Sequence, residues 1–147
     1  MKPILVSACL LGTPCRYDGK SKPSTAVLSL QKQYTLIPVC PEVAGGLPTP
    51  RTPSEIQGDF VRMKNGRDVT QNYHAGAKKA LETARAHGCT VAILKAKSPS
   101  CGKGEVYDGS FSGTLTSGNG ICASLLMQSG IRVYTETELE EMGGIPE

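Results

Sequence analysis

The sequence predicts one α/β domain: a Rossmann-like parallel sheet of about four strands flanked by helices, with long active-site loops at the carboxyl ends of the strands. Three observations lead there. Short β-branched runs alternate with helix signals along the whole chain, the longest connections all follow strands, and 147 residues make about one domain at ~100 to 200 residues each. No internal repeat divides the chain, so 1–147 is taken as a single domain.

In order, the strands are Ile4–Ser7, Leu36–Val39, Val91–Leu94 and Ile131–Tyr134, each short, apolar and rich in branched side chains. The longest helix covers Thr70–His87. Tyr73, Ala77, Ala80, Leu81 and Ala84 recur there at helical spacing, Asp68 and Gln71 offer a capping box, and Gly88 offers a stop. Shorter helices are expected at Ser24–Gln33, Ile121–Gln128 and Thr135–Met142, the last opened by a Thr135/Glu138 capping box. An order of β-α-β-α-β-α-β-α builds a parallel sheet through helical crossovers. Asn65-Gly66 suits the tight turn of a small hairpin between Phe60–Met63 and Arg67–Val69.

Composition narrows the function. With 17 Gly and 10 Pro but only 20% charged and 39% hydrophobic residues, the chain is globular and rich in loops, neither disordered nor fibrous. A net charge of +3 and an aromatic set of 2 Phe, 5 Tyr and no Trp give little to hold a polymeric nucleic acid, so no extended nucleic-acid footprint is expected. Ser110–Ile131 is uncharged, but its glycines and hydroxyl residues are far from the ~20 mostly apolar residues of a membrane span. Val6-Ser7-Ala8-Cys9 looks like a lipoprotein cleavage box. Only Ile4–Val6 are continuously apolar before it, short of the ~7 to 15 of a signal peptide. The N-terminus is therefore read as mature and the protein as cytoplasmic, where thiols stay reduced. Six cysteines then point to metal or thiol chemistry.

Three connections are long, about Ala8–Pro23, Cys40–Asp68 and Lys95–Gly120, and loops beyond ~12 to 15 residues in a compact domain are usually functional. Each opens with a cysteine near a strand end: Cys9, Cys40 and Cys101. In a parallel sheet all three sit at the rim where such sheets bind ligands. Buried free cysteines are also common as small hydrophobes, and Cys89 and Cys122, within or beside regular elements, fit that description. Three thiolates suit a zinc ion with water in the fourth place, or a 4Fe-4S cluster with one iron lacking a protein ligand. His74 and His87 fall in the long helix, away from the rim, and are not counted as ligands. An acid beside a ligand cysteine, Glu42, suits a proton carrier, or else a loop ion pair. Arg16, Asp18 and Arg51 are read first as loop clamps and second as substrate contacts. Gly45-Gly46 and Gly118-Asn119-Gly120 read as turns, since no Walker lysine pattern accompanies them. Cys15 is either incidental or a reserve ligand or sulfur acceptor.

The segments Ile4-Leu5-Val6-Ser7-Ala8-Cys9-Leu10-Leu11-Gly12, Cys15-Arg16-Tyr17-Asp18-Gly19, Cys40 through Arg51, and Ser98-Pro99-Ser100-Cys101-Gly102 with Tyr107-Asp108-Gly109 together resemble a bacterial family. It is the thiouracil desulfidase family, long catalogued as a domain of unknown function. The resemblance runs from Ile4 to about Tyr134. It implies a single iron-sulfur desulfidase-like domain, 1–147. Cys9, Cys40 and Cys101 would bind a 4Fe-4S cluster whose fourth iron is open to substrate sulfur, and Glu42 and Ser98 would be the non-ligand catalytic residues, with Ser100 the less favoured serine. The implied substrate is a small-molecule thiolated pyrimidine, of the kind derived from tRNA, converted to the oxo-base with release of hydrogen sulfide and no net redox change. One departure stands out: Asn119 occupies the turn before the last long helix signal where an Asp is expected, which leaves a helix-capping role but no charge. A zinc hydrolase using the same thiolates, or a non-catalytic iron-sulfur carrier or redox sensor, is the alternative.

Overall fold

The computed structural model describes residues 1–146. Four parallel strands form the main sheet: β1 (Lys2–Ser7), β2 (Tyr34–Val39), β5 (Val91–Leu94) and β8 (Arg132–Thr135), in the order β2-β1-β5-β8. Between β2 and β5 lie β3 (Ser54–Gln57) and β4 (Phe60–Met63), and between β5 and β8 lie β6 (Glu105–Tyr107) and β7 (Leu115–Ser117), each pair a separate antiparallel hairpin. The helices are α1 (Thr25–Ser29), α2 (Pro41–Ala44), α3 (Thr70–His87), α4 (Ile121–Gln128) and α5 (Glu136–Met142).

The four expected strands and four expected helices are all present. The central strands carry the core on both faces, as period-two geometry requires. Leu5, Ala92 and Leu94 face α3 and α4, burying against Ala77, Ala84, Cys122 and Leu126, while Ile4, Val6, Val91 and Ile93 face α1 and α5, burying against Val27 and Leu139. Cys89 and Cys122 are core residues, as their sequence positions suggested.

Some local expectations are corrected. The first predicted helix is shorter: α1 gives way at Leu30–Lys32 to a 3-10 turn, with Ser24 Oγ accepting the Val27 N–H at the start. The Asp68/Gln71 capping box does not form, because Asp68 instead accepts the Thr70 N–H two residues on and Val69 holds the cap position. Thr135 and Glu138 do form theirs, reciprocally. Asn65-Gly66 turns the chain into the expected small hairpin, with Met63 N–H bonded to Arg67 O at 2.8 Å, Val69 N–H to Val61 O at 2.9 Å and an antiparallel bridge between Arg62 and Asp68, while β4 pairs along its whole length with β3 on its other side. Asn119 does not cap α4. Gly120 holds that place, and Asn119 Oδ1 accepts the Gly104 N–H at 2.8 Å instead.

Short α2 is held against long α3 by backbone contact. A Cβ on Gly45 would lie 2.0 Å from Asn72 O, and one on Gly76 would lie 1.8 Å from Pro41 O. Asn72 Nδ2 and Lys79 Nζ donate to the carbonyls of Gly45 and Ala44, each at 2.9 Å, satisfying acceptors that a helix end leaves free. Cys40 and Glu42 ride on this contact. Gly76→Ala should therefore destabilise the protein by ~1 to 3 kcal/mol, the usual cost of overpacking, although alanine has the better helix propensity. A lowered urea midpoint checks this, and an unchanged one would show that α2 can move away freely.

Candidate active site

The topology brings the three expected thiols together. The order β2-β1-β5-β8 reverses direction between β1 and β5, so the chains leaving those strands diverge and open a crevice at their carboxyl ends. Cys9 lies in the 3-10 turn Ala8–Leu11 that continues β1, Cys40 immediately precedes α2, and Cys101 closes the turn after β5. Cys9, Cys40 and Cys101 line one cavity of about 410 Å³, together with Cys15, Glu42 and Ser98.

Local chemistry fixes each. In the turn that carries Cys101, Ser98 Oγ accepts the N–H groups of Ser100 and Cys101, both at 3.1 Å, and Gly102 N–H returns to Ser98 O at 2.8 Å. The carbonyls of Pro99 and Ser100 take the first N–H groups of α4 at 2.9 Å, which is why that helix needs no side-chain cap. At the end of β1, Ser7 Oγ accepts the Lys95 N–H at 2.9 Å, stitching β1 to β5, and faces the Cys101 sulfur. Lys95 Nζ pairs with Glu136 at 3.1 Å.

Arg51 behaves as the expected clamp. Its side chain is only 3% exposed, and it donates to Glu42 Oε1 at 3.0 Å, Pro48 O at 3.1 Å, Thr49 Oγ1 at 3.2 Å and Cys15 O at 3.0 Å. Glu42 is thus both a cavity residue and one end of an ion pair. Arg16 meets Asp18 at 3.7 Å in a more exposed pair of little energetic weight. His74 and His87 are exposed on α3, outside the cavity. The hydroxyls of Tyr73 and Ser100 are buried without a hydrogen-bond partner among the described residues.

The thiols are not equivalent. Burial pushes Cys9 up to about 11, opposed by the nearby Lys95 charge, and pushes Cys101 well above the ordinary thiol range. Cys40 goes the other way, to about 6, because the Cys15 thiol donates to its sulfur and the Val43 N–H adds a second hydrogen bond. Cys15, the donor, is raised. The Cys40 sulfur also lies 3.7 Å from Cys15 O, a contact open to it only as a neutral thiol. Two hydrogen bonds to the thiolate outweigh that one long contact. Among the described residues, no three His, Cys, Asp or Glu side chains are arranged to share a single metal ion.

Residue-by-residue reading of the sequence passed over Ser7, Glu55, Lys95 and Phe111, all of which line the same cavity. Lys95 could have been noticed, as the first residue past a strand that feeds the rim. Ser7 resembles any strand-ending serine, and Glu55 and Phe111 belong to hairpins with no period-two pattern to announce them.

The sheet order and the thiol-lined crevice define a small α/β enzyme whose site is assembled at the topological switch point. Comparison with known proteins narrows this. The chain belongs to the 2-thiouracil desulfurase family, whose profile matches residues 4–138. It is 41% identical over 149 residues to the Bacillus subtilis (strain 168) protein YbbK, covering 95% of this chain and 99% of that one. Its fold superposes with a TM-score of 0.90 on a solved structure described as the [4Fe-4S]-dependent thiouracil desulfidase TudS, at 46% identity over 97% of this chain and 96% of that one.

The unequal thiols give a direct test on cluster-free protein. Alkylation by iodoacetamide should reach Cys40 first, its rate rising with pH through about 6 and levelling off above it, because the thiolate is the nucleophile. Cys9 should stay slow until the pH approaches 11. Peptide mapping of the label decides it, and equal labelling of the two at pH 7 would contradict the hydrogen-bonded thiolate.

Proposed function

We propose that this protein removes sulfur from a thiolated pyrimidine, with water as co-reactant, giving the oxo-base and hydrogen sulfide without net redox change. The observation that carries the reading is the convergence of Cys9, Cys40 and Cys101 with Glu42 and Ser98 on one cavity, in a chain of this family. The cavity volume, about 410 Å³, falls within the ~300 to 1,000 Å³ typical of small-molecule sites and suits a free base better than a folded nucleic acid.

The donor set fits a 4Fe-4S group held by Cys9, Cys40 and Cys101. All three donors are sulfur, the ligand such clusters require. Mixed Cys/His sites are a common choice for zinc, and His74 and His87 are exposed on α3, outside the cavity. When bound, such a group supplies an iron with an open position that acts as a Lewis acid towards sulfur.

The protein supplies the rest. Both acceptor positions of Ser98 Oγ are filled by the Ser100 and Cys101 N–H groups, so its hydroxyl can act only as a donor, which suits it to orient a water or substrate oxygen. Glu42 is the complementary acceptor. Arg51 holds one carboxylate oxygen, leaving the other to take a proton from the attacking water and return it to the departing sulfide. Lys95 and Arg16 place positive charge near Cys9, which offsets the cost of ionising buried thiols. Ser100, buried and without a partner, is the weaker candidate for a substrate contact.

Two measurements test this reading. Cys9→Ala, Cys40→Ala and Cys101→Ala should each lose iron and labile sulfide after anaerobic reconstitution, whereas Cys89→Ala and Cys122→Ala should retain them. Equal iron in all five would refute the ligand set. Glu42→Gln preserves an acceptor for Arg51 but cannot carry the proton, so single-turnover sulfide release per cluster should fall ~100- to 10,000-fold. Near-normal release would reduce Glu42 to the loop ion pair. Ser98→Ala should lower both turnover and iron retention, because it also frees the N–H of Cys101.

A further inference from the structure

Two hairpins that are not part of the main sheet meet over the cavity, and one buried acid joins them. Glu55, on β3, is 9% exposed. Its Oε1 accepts the N–H of Gly109 at 2.9 Å and of Phe111 at 3.2 Å, both from the loop between β6 and β7. Gln57 Nε2 donates to Gly109 O at 2.8 Å. The approach is close enough that a Cβ on Gly109 would lie 2.7 Å from Ile56 O. On the solvent side, Asp108 Oδ1, Ser110 Oγ, Ser112 Oγ and Thr114 Oγ1 form a ladder of side-chain hydrogen bonds of 2.5, 2.6 and 2.8 Å.

Phe111 sits at the centre of this bracing with φ of 55°, a left-handed conformation that a bulky aromatic residue rarely adopts. Such strain persists only where the surroundings over-determine it, and it clusters at functional sites. Phe111 lines the cavity that holds the three thiols, Glu42 and Ser98. Seven aromatic residues serve the whole chain, and Tyr17, Tyr73, Tyr107 and Phe111 are all at this cavity. Phe111 alone among them has left-handed backbone.

We infer that Phe111 is the specificity-determining platform on which the substrate's planar ring stacks, and that Glu55 is the positioning residue that holds it. The inference rests on the thiolated-pyrimidine reading above and names the side chain that selects for the ring. A flat heterocycle presents a π-face whatever its substituents, so one platform accepts isomers that differ in where the sulfur sits. Stacking of a base on an aromatic side chain carries ~5- to 150-fold in affinity when removed by substitution.

The test uses reconstituted holoprotein, with uracil as the probe for calorimetric binding and 2-thiouracil for turnover. Phe111→Leu keeps apolar bulk but no π-face. It should weaken uracil binding and raise KM for 2-thiouracil by about 5- to 150-fold, with kcat within a few-fold and cluster absorption retained, while Phe111→Tyr should stay close to wild type. Glu55→Ala should move KM in the same direction and be non-additive with Phe111→Leu, and Glu55→Gln, which still offers an acceptor oxygen, should restore it. A fall in kcat at fixed KM would make Phe111 a water-excluding plug and overturn the platform. So would unchanged uracil binding in Phe111→Leu, or no uracil binding by wild type. Saturation transfer from the Phe111 ring to bound uracil checks the contact without any substitution, and its absence has the same force. Uracil binding by wild type without sulfide release from thiouracil would instead refute the desulfuration and leave the platform standing.

Discussion

Strands that run in the same direction, ~4.8 Å apart, must release their chains at the same edge of the sheet. This constraint places every part of the site. β1, β2 and β5 are neighbours, so the residues following them are neighbours too, whatever their separation in sequence. The order of strands then decides where a space opens: at β1 and β5 the connections part to opposite sides, and the crevice between them needs no loop to be pushed aside. The thiols occupy that crevice because their loops begin there.

Convergence of backbone is not yet a site, and the supporting contacts show how the sequence completes one. Each thiol is tied down by a different device: a 3-10 turn continuing β1 for Cys9, glycine-mediated contact of α2 with α3 for Cys40, and a serine-capped turn buttressed by α4 for Cys101. Arg51 links the second of these to the Cys15 loop through the Cys15 carbonyl and the Glu42 carboxylate. Of these three, the buried thiols Cys9 and Cys101 resist ionisation, while the half-buried Cys40 forms the hydrogen-bonded thiolate. Acquiring a metal group would therefore also release protons, coupling loading to pH.

Much of this was legible in the sequence, for physical reasons that can be named. Val91–Leu94 is buried on both faces and reads as an unbroken apolar run; Thr70–His87 shows helical spacing because one side is core and the other is solvent. Cys9, Cys40 and Cys101 were visible because topology alone carries them to one rim. What stayed hidden depends on contacts between distant segments. β6 and β7 have three residues each, too few for a pattern, and are held by Glu55 from a segment more than fifty residues earlier. Phe111 gives no sign of its left-handed backbone. Asp68 looked like a cap and became a turn because Thr70 Oγ1 was engaged by Val61, a tertiary contact that local propensity cannot contain.

β2 is an edge strand, paired with β1 on one side only, and Pro38 is exposed on it two residues before Cys40. A residue without an N–H interrupts the row of donors that a passing strand would need, so another chain cannot extend the sheet there. The pairing of Lys2 with Tyr34 through Ser7 with Val39 also has to be kept to the residue, since a shift of one would turn every side chain of the strand to the opposite face. Guarding an open edge against intruders and keeping a sulfur atom correctly aimed are usually separate problems. Here one short strand must meet both, which makes the stretch from Tyr34 to Cys40 the least forgiving place in the chain for an insertion or deletion.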